Sequence, residues 1–164
     1  MGRAPHMGSG KHFACAALAL ALSGPSQADA AGMRLLGRYD GNGRGVEIGA
    51  DAVHIAIPLD ARACHGPGRR VTLYLRGLRA DEGPHPGYRV LLVRRGARAS
   101  GEPVGEFNFY GIGPGVRRDA SFDLAPELLA SRREPCIVRL LLQAAGPVAN
   151  AGRAAMDSME IWRE

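Results

Sequence analysis

The sequence predicts an all-β fold, an antiparallel β-sandwich of jelly-roll type carrying one short helix. Three observations predict it. From Met33 onward the chain is a succession of short apolar runs cut by turns, and that part holds 19 of the 23 glycines and 9 of the 11 prolines. Within several runs apolar residues recur at every second position, the period of a strand with one face buried. Only one stretch has the chemistry of helix ends. Many short strands with frequent turn signals are the mark of sandwiches and barrels.

The first turn is Asp40-Gly41-Asn42-Gly43, whose residues tolerate positive φ. Val53, Ile55 and Ile57 then alternate with His54 and Ala56, which puts three β-branched side chains on one face of a strand that Pro58 ends. Val71, Leu73 and Leu75 alternate with Thr72, Tyr74 and Arg76 in the same way. Tyr88 to Val93 and Ile137 to Leu142 are more continuously apolar, as central strands covered on both faces should be. Three further loops are legible as Gly66-Pro67-Gly68, Gly83-Pro84-His85-Pro86-Gly87 and Gly111-Ile112-Gly113-Pro114-Gly115. The helix is expected over Asp123 to Arg133. There Asp123 would cap the N-terminus, Pro126 would occupy the first turn, and Leu128 and Leu129 would face the core.

Residues 1–30 have the organisation of a secretory signal peptide. Arg3 and Lys11 precede a ten-residue apolar run, Phe13 to Leu22, and Ala28-Asp29-Ala30 follows as a small-x-small cleavage site. The run is much shorter than the roughly 20 residues needed to span a membrane. Residues 31–164 then form a single domain that is periplasmic or secreted. Cleavage removes Cys15 and leaves Cys64 and Cys136 as the one pair, for which an oxidising compartment predicts a disulfide. Closing so long a loop would add on the order of 4 kcal/mol by the chain-entropy model. The processed chain has 19 basic against 15 acidic residues, and its arginines are scattered as pairs at the ends of apolar runs. A nucleic-acid binder would cluster them in a stripe with exposed aromatics, so no nucleic-acid partner is expected.

The segment Pro103-Val104-Gly105-Glu106-Phe107-Asn108-Phe109-Tyr110-Gly111, with Phe122-Asp123-Leu124 and Met159-Glu160-Ile161-Trp162, carries a family resemblance. Together with Val71 to Leu75, Gly87 to Leu92 and Cys136 to Leu142, in that order and spacing, it resembles the β-rich C-terminal domain that follows the dicopper domain in many tyrosinases and polyphenol oxidases. The resemblance covers most of the chain after Val71. It implies a noncatalytic sandwich that lies over a copper domain, in some relatives shielding the active site with an inserted aromatic side chain, in others assisting copper loading. The histidine-bearing helices of the copper domain have no counterpart here, since beyond residue 30 only His54, His65 and His85 remain. The chain is therefore expected to be no enzyme. The partner that the resemblance implies is a tyrosinase-like dicopper protein, to be shielded, stabilised or matured.

Partner-binding candidates are the aromatic residues Tyr110, Trp162, Phe107 and Phe109. Phe107 and Phe109 share one strand face and read first as core. Tyr110 adjoins the Gly111 to Gly115 loop, and the shielding role would come to it from the resemblance. Trp162 is a candidate because tryptophan is enriched among interface anchors. For copper, His65, His85 and Met159 are the candidate ligands, with Cys64 and Met156 beside them, since soft sulfur suits Cu(I) and imidazole suits either oxidation state. Their spacing supports no site: a Cys64 tied to Cys136 could not be a thiolate ligand, and Met156 and Met159, three apart on a strand, should face opposite sides. No cofactor is expected. No serine stands in a nucleophile elbow. Two alternatives stay open, an extracytoplasmic ligand- or carbohydrate-binding sandwich and a copper-delivery protein.

Overall fold

The computed structural model describes residues 32–60, 70–81, 85–94, 101–125, 136–146 and 152–164. All regular structure among them is β, in ten strands: β1 Arg34–Tyr39, β2 Val46–Ile48, β3 Val53–Pro58, β4 Val71–Ala80, β5 Tyr88–Leu92, β6 Glu102–Phe107, β7 Arg118–Leu124, β8 Ile137–Ala144, β9 Ala154–Met156 and β10 Ser158–Arg163. Every pairing is antiparallel. No described helix is long and apolar enough to cross a membrane. The expected helix falls mostly at residues 126–133, outside the described residues. Its intended cap, Asp123, belongs instead to β7, where its carboxylate takes two hydrogen bonds from Arg70 at 3.0 and 2.9 Å.

Two pairs of short strands act as single long ones. β1 and β2 lie along the same side of β10 and β9, interrupted by the Asp40 to Gly45 turn. β9 and β10 are separated by Asp157 alone and both pair with β4. Counted so, the chain has eight strand positions, in the order 1-8-3-6 in one sheet and 2-7-4-5 in the other. That is the jelly-roll order, in which consecutive strands cross between the sheets, the fourth and fifth excepted. The sheets meet along both sides, β1 against β3 and β6 against β7. At the second meeting Gly105 leaves room for the Phe122 ring, and any side chain there would overlap it.

The core lies between the sheets. Val71, Leu73 and Leu75 of β4 and Met159 and Ile161 of β10 are fully buried, facing Ile57 of β3, Val90 of β5 and Leu140 and Leu142 of β8. The strands expected to be central are so: β8 lies between β3 and β5, and β5 between β8 and β6. The alternation read at Val53, Ile55 and Ile57 and at Val71, Leu73 and Leu75 puts the latter five among the buried residues, with Val53 half-buried against them. Cys136, at the start of β8, is disulfide-bonded. Cys64, its expected partner, lies outside the described residues.

One departure from strict alternation organises the first sheet. Met156 and Met159 are both fully buried, and so are Leu75 and Leu78 opposite them, although each pair is three residues apart. The expectation that the two methionines face opposite sides is thereby corrected. The pairings Arg76 with Ser158 and Arg79 with Ala155 keep one register, so both strands step together at Gly77 and Asp157. Gly77 makes the step with φ of 63°, where a side chain would be strained and would overlap the Asp157 carboxylate. Its N–H donates to Asp119 Oδ1 at 2.9 Å, and the Asp157 N–H donates to the Arg76 carbonyl at 2.8 Å. Arg76 reaches Asp119 at 2.8 Å and Glu160 at 3.2 Å, while the Asp157 carboxylate receives both Arg79 and Arg117.

Gly77→Ala is expected to cost about 1–3 kcal/mol, from the positive φ and the overlap with Asp157, read as a lower urea midpoint with unchanged slope. A second expectation concerns acid. The Gly77 N–H and then Arg76 hold the Asp119 carboxyl below the ordinary carboxylate range. A group depressed in the folded state adds stability that is present above its unfolded pKa and lost as pH falls through the folded one. With Asp119 half exposed, the gain is small, below about 1 kcal/mol. Asp119→Asn should therefore lower stability slightly at neutral pH and flatten its fall below about pH 4, measured by urea midpoints across pH.

Candidate functional site

The 108–117 segment joining β6 to β7 is built from the inside out. Its foundation is an aromatic cluster. Tyr88 stacks on Phe107 with ring centres 5.6 Å apart, and Phe109 stands edge-on to both, at 5.8 and 5.7 Å. His85, from the loop between β4 and β5, lies against Phe109 with ring centres 5.4 Å apart. Such tilted and edge-on ring pairs add roughly 0.5–1.5 kcal/mol each beyond their burial. Burial raises the Tyr88 phenol pKa, and the hydroxyl has no partner among the described residues.

On this base the backbone is tied by short-range bonds. Asn108 Oδ1 accepts from the Tyr110 N–H at 3.1 Å, an Asx turn that sends the chain away from the sheet. The Ile112 N–H donates to the Phe109 carbonyl at 3.0 Å, and the Val116 N–H to the Gly113 carbonyl at 3.0 Å. Phe109 and Ile112 point inward, 3% and 7% exposed. Between them Tyr110 is turned out with 89% of its surface in water, and Val116, at 41%, is the other large apolar side chain exposed among the described residues. A tyrosine gains from burial of its ring, so a loop that holds one out at a fixed place leaves that gain to be made elsewhere.

The other aromatic candidates are placed differently. Phe107 and Phe109 are core, with no ring face available to a partner while the loop keeps this shape. β6 ends at Phe107, so Phe109 reaches the core from the loop and not from a strand face. Trp162 is 8% exposed, and its indole N–H donates to Glu160 Oε2 at 3.0 Å, a carboxylate also held by Arg76 and, at 3.7 Å, by Arg38. It is the covered centre of a charged lattice on the sheet.

The candidate metal ligands are not brought together. Met159, like Met156, lies in the sandwich core. His85 Nε2 sits 3.0 Å from the Asp81 carbonyl. A carbonyl only accepts, so Nε2 is the donor in that contact, and Nδ1 is buried without a partner among the described residues. His65 and Cys64 lie outside the described residues. Among the described residues no three His, Cys, Asp or Glu side chains are grouped so as to hold a metal ion.

Next to the Tyr110 loop an open groove of about 780 Å³ runs across the end of the first sheet. Arg44, Arg79 and Arg153 line it with Glu47 and Asp81, and Pro114 and Gly115 of the loop form one wall. In the sequence these arginines are far apart, at a turn, a strand end and a loop, so no local pattern joins them. Only the jelly-roll crossovers bring them to one end. The signal available in sequence was the place of Tyr110 beside the Gly111 to Gly115 loop.

The fold and this loop together define a jelly-roll sandwich that presents one aromatic side chain beside a charged groove. No family model and no curated protein matches the chain. Among solved structures it is similar to one described as Bacillus endospore appendages that form a novel family of disulfide-linked pili, at 16% identity over 74% of this chain and 91% of that one. The TM-score is 0.29, too low to carry an argument about fold or function.

The two neighbouring aromatics of the loop should behave oppositely. Phe109→Ala is expected to cost about 3–5 kcal/mol, since it empties the cluster under the loop. Tyr110→Ala should leave thermal and urea stability within about 0.5 kcal/mol of wild type, as surface changes do.

Proposed function

We propose that the protein is an exported, noncatalytic binding module that docks on a partner protein through the 108–117 loop, with Tyr110 as the side chain inserted into the partner. One observation carries this reading: Tyr110 is 89% exposed on a loop whose neighbours Phe109 and Ile112 are buried anchors. Pre-ordering the loop removes much of the entropic cost of binding, and a tyrosine fixed by few torsions is an efficient interface anchor. Export is supported by the signal-peptide organisation of residues 1–30 and by the disulfide at Cys136, which suits an oxidising compartment.

The partner class follows from the resemblance to the tyrosinase C-terminal domain: a tyrosinase-like dicopper oxidase, covered, stabilised or helped to mature by this separate chain. The mechanism is surface complementarity. Tyr110 would fill a pocket of the oxidase and exclude water from it, and release would require withdrawing a ring from a fitted site. The buried positions of Met156 and Met159 give a copper-delivery role no support from these residues.

The test is capture with the mature, oxidised protein from the extracytoplasmic fraction of its own cells, with and without copper, followed by mass spectrometry. A tyrosinase-like oxidase is expected to come down with wild type and to fall by about tenfold or more with Tyr110→Ala, the loss typical of a central anchor. Capture that contains no dicopper protein, or that Tyr110→Ala leaves unchanged, overturns the reading.

A further inference from the structure

Most arginines of the described residues are held by carboxylates. Arg34, Arg70, Arg76, Arg89 and Arg94 each have one within salt-bridge distance, and Arg79 and Arg117 share Asp157. Arg44, Arg118, Arg139 and Arg153 have none among the described residues, and three of these, Arg44, Arg118 and Arg153, lie at the end of the sandwich that carries Tyr110. Arg118 reaches under Gly111, the residue after Tyr110. Arg44 and Arg153 line the groove beside it. Among the described residues, three guanidiniums without a carboxylate are thus gathered around one loop.

The shape of the groove narrows what they can serve. Its floor is a cross-strand row, Glu47 of β2, Ala155 of β9 and Arg79 of β4, in which the small central residue keeps the middle low. Both ends are firm. Arg44 sits in a turn closed by its own N–H to the Gly41 carbonyl and by Gly45 N–H to Asp40, and the Asp81 N–H bonds the Arg153 carbonyl at 2.9 Å. Glu47 and Asp81 also line it, leaving guanidinium in excess when Arg118 at the neighbouring loop is included. The groove is not enclosed, and its floor runs across three strands, which suits an extended chain.

We infer that the groove receives an extended acidic segment of the same partner protein, so that docking has two parts: Tyr110 in a pocket, and partner carboxylates on Arg44, Arg153 and Arg118. This rests on the reading of Tyr110 as the docking residue, and is supported by the continuity of groove and loop through Pro114 and Gly115. Guanidinium takes carboxylates in a two-toothed fork, which orients the segment as well as attracting it. The acidic segment steers encounter and sets the register in which the ring is inserted.

The probe is a fluorescein-labelled hexaglutamate peptide, titrated with the mature protein and followed by anisotropy at low salt, beside hexalysine and an oligouronate of similar length. Hexaglutamate should bind and hexalysine should not. The double reversal Arg44→Glu/Arg153→Glu should weaken binding by about tenfold or more, as loss of two exposed ion pairs implies, and rising salt should erase the difference. An unchanged melting temperature establishes that the variant is folded, and the milder Arg44→Gln/Arg153→Gln should fall between the two. No binding of hexaglutamate, binding that the reversals leave unchanged, or binding of the oligouronate alone overturns the inference. Because none of these readouts involves the oxidase or Tyr110, failure here is separate from failure of the capture experiment.

Discussion

The step at Gly77 and Asp157 decides how the first sheet is assembled. Two antiparallel strands that alternate strictly can bury only every second residue, and here β4 and the β9–β10 strand each need Leu75 with Leu78, or Met156 with Met159, inside. By stepping at the same point they change phase without losing register. The backbone groups freed at the step are taken up at once: the Gly77 N–H by Asp119 on β7, and the Asp157 N–H by the Arg76 carbonyl. Asp157 then binds Arg79 from β4 and Arg117 from the end of the Tyr110 loop. A single irregularity in the ladder thus fastens three strands and the base of the candidate site.

The loop draws its order from both sheets. Tyr88 and Phe107 are neighbours across the β5–β6 pair of the second sheet, and Phe109 rests on them, while Arg117 ties the far end of the loop to Asp157 in the first. Because the loop spans the two layers at one end of the sandwich, its shape is fixed by packing on one side and by charge on the other. Loops held so at the ends of rigid sandwiches are where binding function concentrates.

Period-two patterning made the fold class and the central strands legible: nothing but burial of one face requires Ile55 and Ile57, or Leu73 and Leu75, at that spacing, and β8 and β5 announced themselves by continuous apolar runs. The same rule failed at Met156 and Met159, because a phase step depends on Gly77, a residue nearly eighty positions away, and no local pattern records a partner strand. Asp123 was read as a helix cap because aspartate before Leu124 and Pro126 has that chemistry, yet its carboxylate found Arg70 across the sheet. At the site, the exposure of Tyr110 was foreshadowed by its place beside a glycine loop, whereas the groove was invisible, since its arginines converge only through the crossovers. Trp162 read as an anchor from its residue type alone; its burial is set by Glu160 and the neighbouring strands.

In the jelly-roll order the strand latest in the chain, β10, is not an edge but lies between β1 and β4. While the polypeptide is being made, the first sheet therefore has a gap at its centre, and β1 waits for a neighbour more than a hundred residues downstream. Contacts of such long range form slowly, because the loop entropy is lost before the pairing is gained. A nascent chain of this design cannot close its first sheet until β10 has been made.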